Sequence, residues 1–119
     1  MPLTVSLRGT KEVTPTYQVF RLTGMLDAFS EQNIRKVLQQ AVETGPNQVI
    51  LDLSKIEFID SSGLGILVQT AKQLQANQGH LQVVTNPRVT QAVKLVRLEQ
   101  FLSLQPSLEA ALAALPSTS

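Results

Sequence analysis

An aspartate, two serines and two glycines crowd into six consecutive positions, Asp60-Ser61-Ser62-Gly63-Leu64-Gly65. An apolar run ending in Phe58-Ile59 precedes them, and an amphipathic helical pattern begins at once. The spacing therefore puts two hydroxyls at a helix N-terminus, where backbone N–H groups are unpaired and the macrodipole supplies about half a positive charge. Such a position can hold a phosphate or present a hydroxyl to another protein. A serine nucleophile would need a base within hydrogen-bond reach. The single histidine, His80, directly precedes a strand-like run and reads as solvated polar surface. The G-x-S-x-G spacing of a nucleophile elbow is absent. No Lys-Ser/Thr pair follows the glycines, so the segment is not a phosphate-binding loop, and it is not a dinucleotide fingerprint. Asp60 and Asp27 are the only carboxylates on offer near the motif, too few for a metal site. No enzyme activity, cofactor or metal is expected.

A plainer reading of the motif is helix capping, in which one Asp or Ser satisfies free N–H groups for about 1 kcal/mol. One cap suffices, however, and three polar residues are present. Gly63 and Gly65 fall in the first helical turns, each costing about 1 kcal/mol against alanine. Glycine there implies close approach by another backbone or by a partner. Counting about 100° per residue, Ile66 points nearly opposite the stripe formed by Leu64, Leu67 and Ala71. It is either covered by a neighbouring segment or exposed as part of an interface.

The elements that position this motif follow from periodicity. Leu3, Val5 and Leu7 alternate with polar residues as a strand, with Gly9 to Glu12 as a turn region. Tyr17 to Thr23 reads as a second strand, antiparallel to the first, ended by Gly24. Asp27 follows in a loop and Ser30 is a plausible N-cap. Ile34, Val37, Leu38, Ala41 and Val42 make a helical stripe, stopped by Gly45-Pro46. Val49 to Leu53 reads as a central strand covered on both faces, with Ser54 to Glu57 as a connection. Leu64, Leu67, Val68, Ala71 and Leu74 mark the next helix and Leu81 to Val84 the next strand. Asn86-Pro87 opens a third helix. Leu102 and Leu104 mark a short last strand, and Pro106-Ser107 opens a final helix. The order is ββαβαβαβα. It predicts an α/β protein with a single mixed sheet of four to five strands, an N-terminal hairpin, parallel pairing thereafter and about four helices.

Bulk properties agree. At 119 residues with 43% hydrophobic side chains the chain is long enough for one real core. Its 10 basic and 9 acidic residues form no basic stripe, so neither nucleic acid nor an acidic membrane surface is favoured as a partner. There are no cysteines, which removes disulfides and thiol chemistry and fits a cytoplasmic protein. No signal pattern and no apolar stretch near the roughly 20 residues of a membrane span are visible.

Asp60-Ser61-Ser62-Gly63-Leu64-Gly65, preceded by Val49-Ile50-Leu51-Asp52-Leu53 and Phe58-Ile59, resembles the signature of STAS domains, the anti-sigma factor antagonists and their relatives. Leu22-Thr23-Gly24-Met25-Leu26-Asp27 resembles the family's second marker, a Leu-x-Gly-x-Leu-Asp segment. The resemblance covers residues 1–119 as one STAS domain, with 116–119 expected as a frayed tail. It implies a transcription regulator that works by partner switching. The unphosphorylated form would bind an anti-sigma factor that is also a serine kinase, and so release a sigma factor. Phosphorylation of Ser61 would switch it off, and a phosphatase would restore it. Asp27, Asp60, Ser61, Ser62, Gly63, Gly65 and Ile66 would then form one partner-binding surface. The resemblance equally admits a STAS module in a sensory scaffold or a transporter-associated complex that never meets a sigma factor.

Overall fold

The computed structural model describes residues 7–116. The chain runs β1 (Leu7–Val13), β2 (Gln18–Leu26), α1 (Ala28–Thr44), β3 (Gln48–Ile59), α2 (Ser61–Ala76), β4 (His80–Val84), α3 (Pro87–Leu95), β5 (Ser103–Gln105) and α4 (Leu108–Ala113). The element order is the expected one. The five strands lie side by side in chain order, with β1–β2 antiparallel and the other neighbours parallel. Helices α1, α2 and α3 bury Ile34, Leu38, Leu67, Leu74, Val89 and Val93 against one face, where Phe20, Leu51, Leu53 and Val83 receive them. On the other face, Ala111 of α4 joins Val19, Ile50 and Val84. As expected for a strand buried on both faces, Val49, Ile50, Leu51 and Leu53 are all covered.

Several local expectations are corrected. Leu3 and Val5 lie outside the described residues, as do positions 117–119 of the expected tail. Gly9 to Glu12 is strand, not turn; the reversal falls at Thr14–Tyr17 instead, where the Thr14 hydroxyl accepts the Tyr17 N–H at 3.0 Å. Pro15 sits inside that reversal; it has no N–H to donate to a strand ladder, and the Thr14 hydroxyl bonds Tyr17 across the turn. Gly24 does not end β2. It continues the strand with φ 112°, a conformation glycine adopts at little cost, beside a register irregularity.

The largest difference is in β3, which absorbs Ser54 to Glu57. Arg21 pairs with Asp52 and Thr23 with Lys55; Gly24 pairs with Ile56 and Met25 with Phe58. Each interval holds one more residue in β3 than in β2, so the strand carries two bulges. Burial accordingly recurs at Leu53, Ile56 and Ile59, every third residue. That period conceals a strand from any search for alternation. Asn86 secures the bulged stretch by donating to the carbonyls of Leu53 (3.3 Å), Ser54 (3.2 Å) and Ile56 (2.8 Å). The same side chain accepts the Val89 N–H at 2.8 Å and so caps α3.

Candidate functional site

Strands β2 and β3 are neighbours and parallel, so the helices that follow them start side by side. Each start carries an aspartate as N-cap. Asp27 Oδ1 accepts the N–H groups of Phe29 (3.0 Å) and Ser30 (3.1 Å). In return the Ser30 hydroxyl accepts the Asp27 N–H at 3.0 Å and reaches the Met25 carbonyl at 3.1 Å. This closed box corrects the expectation for Ser30, which is the third helical residue rather than the cap, and for Asp27, which is the cap rather than loop. Both are buried.

Asp60 behaves differently. Its Oδ1 accepts the Gly63 N–H of its own helix at 3.1 Å. Its Oδ2 accepts the Ala28 N–H of the neighbouring helix, also at 3.1 Å. The Asp60 N–H donates to the Leu26 carbonyl at 3.2 Å. One carboxylate thus serves the positive ends of two helices and binds them together. With the capping done by Asp60, neither Ser61 nor Ser62 makes a side-chain hydrogen bond among the described residues. Ser61 is exposed and Ser62 half-buried.

The two glycines separate. A Cβ on Gly63 would stand 2.4 Å from the Leu26 carbonyl oxygen and 2.8 Å from Ile59 Cγ1. Gly63 is therefore demanded by the end of β2, whose last carbonyl lies against it, not by a partner. At Gly65 a Cβ would meet nothing within 4 Å, and the residue is exposed. Ile66 is 2% exposed and belongs to the core, which corrects its reading as a docking residue. Helix α2 packs on α1 as well as on β3 and β4, so its buried arc is wide enough to include both Leu64 and Ile66. Of the expected surface, Gly63 and Ile66 face inward, Asp27 is buried, Asp60 is partly covered, and Ser61, Ser62 and Gly65 remain accessible.

Two further features lie beside Ser61. A groove of about 610 Å³ runs along α2, lined by Ser61, Leu64, Gly65, Val68, Val96 and Leu98. At the start of α1, Phe29 is 88% exposed, one residue from the Ala28 amide that Asp60 holds. Counting about 100° per residue, Phe29 lies opposite the Ile34–Leu38–Ala41 stripe. That signal is present in the sequence. Val96 and Leu98 follow α3 and reach the groove only through the fold. Among the described residues no histidine base stands near Ser61: His80 lies beyond the far end of α2, whose 16 residues span about 24 Å. Among the described residues, no helix is long and apolar enough to cross a membrane.

A family model described as the STAS domain matches residues 8–111. A protein of Bordetella bronchiseptica assigned as an anti-sigma factor antagonist, BtrV, is 33% identical over 97 residues, covering 78% of this chain and 81% of its own. The anti-sigma-B factor antagonist of Staphylococcus aureus is 24% identical over 94 residues, covering 78% of this chain and 86% of its own. Among solved structures, an anti-sigma factor antagonist from Mycobacterium paratuberculosis superposes with a TM-score of 0.84 at 28% identity, over 92% of this chain and 94% of that one. The anti-sigma factor antagonist SpoIIAA in its unphosphorylated form gives a TM-score of 0.74 at 26% identity, over 87% and 92% of the two chains.

Proposed function

Because this chain belongs to the STAS domain family, a family of non-enzymatic protein-binding domains, we propose that it is an anti-sigma factor antagonist switched at Ser61. Unphosphorylated, it binds an anti-sigma factor that is also a serine kinase, in the cytoplasm, and so releases a sigma factor. Phosphorylation at Ser61 ends that binding and a phosphatase restores it. The relatives named above are anti-sigma factor antagonists, and one was solved in a form distinguished as unphosphorylated. The observation that carries the reading is the division of labour at α2: Asp60 caps the helix, leaving the Ser61 hydroxyl exposed and uncommitted.

The docking surface in this reading is Ser61, Ser62 and Gly65, the groove between α2 and Val96–Leu98, and Phe29. A phosphate on Ser61 adds about −1.5 to −2 charges. The helix dipole tolerates them, so the fold survives. The carboxylate of Asp60 is adjacent in sequence, and no cation among the described residues pairs with it. A partner packed there meets added bulk and an unpaired charge. Burying an unpaired charge at an interface costs several kcal/mol, and each 1.4 kcal/mol is about tenfold in affinity.

The test is capture of a purified anti-sigma factor kinase by wild type, Ser61→Ala and Ser61→Asp proteins, with mass-spectrometric mapping of the site phosphorylated. Capture by wild type and Ser61→Ala but not by Ser61→Asp, with Ser61 modified, is expected. Modification elsewhere only, or undiminished capture by Ser61→Asp, rejects the reading.

A further inference from the structure

Helix α4 covers only one end of its face of the sheet, over Val19, Ile50 and Val84. At the other end of the same sheet lies a concavity of about 520 Å³ across β1, β2 and β3. Arg8, Arg21 and Lys55 line it, with a single carboxylate, Asp52. The register explains why they converge. Arg8 stands opposite Thr23 and Arg21 opposite Thr10, so the two arginines are diagonal neighbours, about 7 Å apart at Cβ. Thr23 in turn pairs with Lys55 across the β3 bulge. Three cations from three strands therefore line one volume.

Their charges are largely uncommitted. Arg8 and Lys55 make no ion pair among the described residues. Arg21 meets Glu12 only at 3.5 Å, with both side chains exposed by 44% and 53%. Asp52 is turned to Ser54, whose N–H and hydroxyl it accepts at 3.0 Å and 2.7 Å. Like charges gathered on a folded surface repel one another, and an anion relieves that repulsion. Thr10 and Thr23 add hydroxyl donors beside the cations. The volume falls within the range of small-molecule sites. No aromatic ring lines it, so nothing there stacks a nucleobase.

We infer that this sheet-face concavity binds a small soluble polyanion of the phosphate class, held by Arg8, Arg21 and Lys55. The site is separate from Ser61 and stands or falls independently of the proposed partner switch. The test is a titration of the protein with inorganic pyrophosphate at low ionic strength, followed by amide chemical shifts and calorimetry. Saturable one-to-one binding is expected, with shifts at residues 8–10, 21–23 and 52–55. Arg8→Gln and Lys55→Gln, both on exposed positions, should each weaken binding about tenfold, the scale of one charge-assisted hydrogen bond, at unchanged melting temperature. Ser61→Ala should bind as wild type does. The inference is overturned by the absence of saturation, by affinity undiminished in both charge variants, or by shifts centred on residues 61–63. Binding to phosphatidylglycerol vesicles without binding to pyrophosphate overturns it as well.

Discussion

The starts of α1 and α2 are built from the same parts and put to opposite uses. Each begins with an aspartate cap after a parallel strand, and each has serine in its first turn. In α1 the serine is the third helical residue, Ser30, and its hydroxyl reaches back to the cap N–H. It is buried and fully employed. In α2 the serines are the first and second residues, Ser61 and Ser62, and the third is Gly63. From the first two positions a hydroxyl does not reach back to the cap, and the third, which does, has no side chain. Position relative to the cap thus decides whether a hydroxyl is structural or displayed. The vacated third position is filled from outside by the Leu26 backbone, and the Asp60 carboxylate is left with an oxygen to spend on α1.

The contrast breaks most visibly at Ser61. Ser61→Asp should lower affinity for the anti-sigma factor by at least about a hundredfold, measured by calorimetry, since burying an unpaired charge costs several kcal/mol. Circular dichroism melting should show the fold intact; loss of folding would instead make Ser61 a structural residue. Next in size is the glycine pair. Gly63→Ala drives a methyl into the Leu26 carbonyl and should cost about 3 kcal/mol by urea unfolding, at the upper end of overpacking. Gly65→Ala meets open space and should stabilise the helix by about 0.5–1 kcal/mol. Equal effects at the two glycines would refute the assignment of Gly63 to the close contact with the end of β2.

Asp60→Ala removes an acceptor from two helix starts together, so its cost should approach about 2 kcal/mol, the top of the range for a single cap. Hydrogen exchange should then speed up at the Ala28 amide as well as at Gly63. Acceleration confined to α2 would show that the bridge to α1 carries no weight. The smallest effect tests the serines directly. Ser30→Ala leaves the Asp27 N–H without its partner and should cost about 1 kcal/mol, whereas Ser61→Ala should stay within about 0.5 kcal/mol of wild type. Reversal of that order would overturn the distinction between structural and displayed hydroxyls.

Much of this was legible before any fold was known. Apolar periodicity and terminal signals such as Gly45-Pro46, Asn86-Pro87 and Pro106-Ser107 depend on residues within a turn or two of each other. The sequence by itself therefore determined the order of the nine elements, the hairpin followed by parallel strands, and the placement of Ser61 and Ser62 at a helix start. It also carried the exposed apolar Phe29, as a residue off its helix stripe.

What the sequence could not decide was everything that depends on which strand lies beside which. The bulges of β3 exist only in register against β2, so Ser54 to Glu57 looks like a connection until the strands pair. The burial of Ile66 follows from α1 flanking α2, and the need for Gly63 from the passage of Leu26. The double duty of Asp60 arises because parallel β2 and β3 set two helix starts side by side, and the gathering of Arg8, Arg21 and Lys55 because β1, β2 and β3 are neighbours in one sheet. Local chemistry chooses the elements. Long-range pairing, which no window of neighbouring residues encodes, chooses which side chains are spent on structure and which are left free to act.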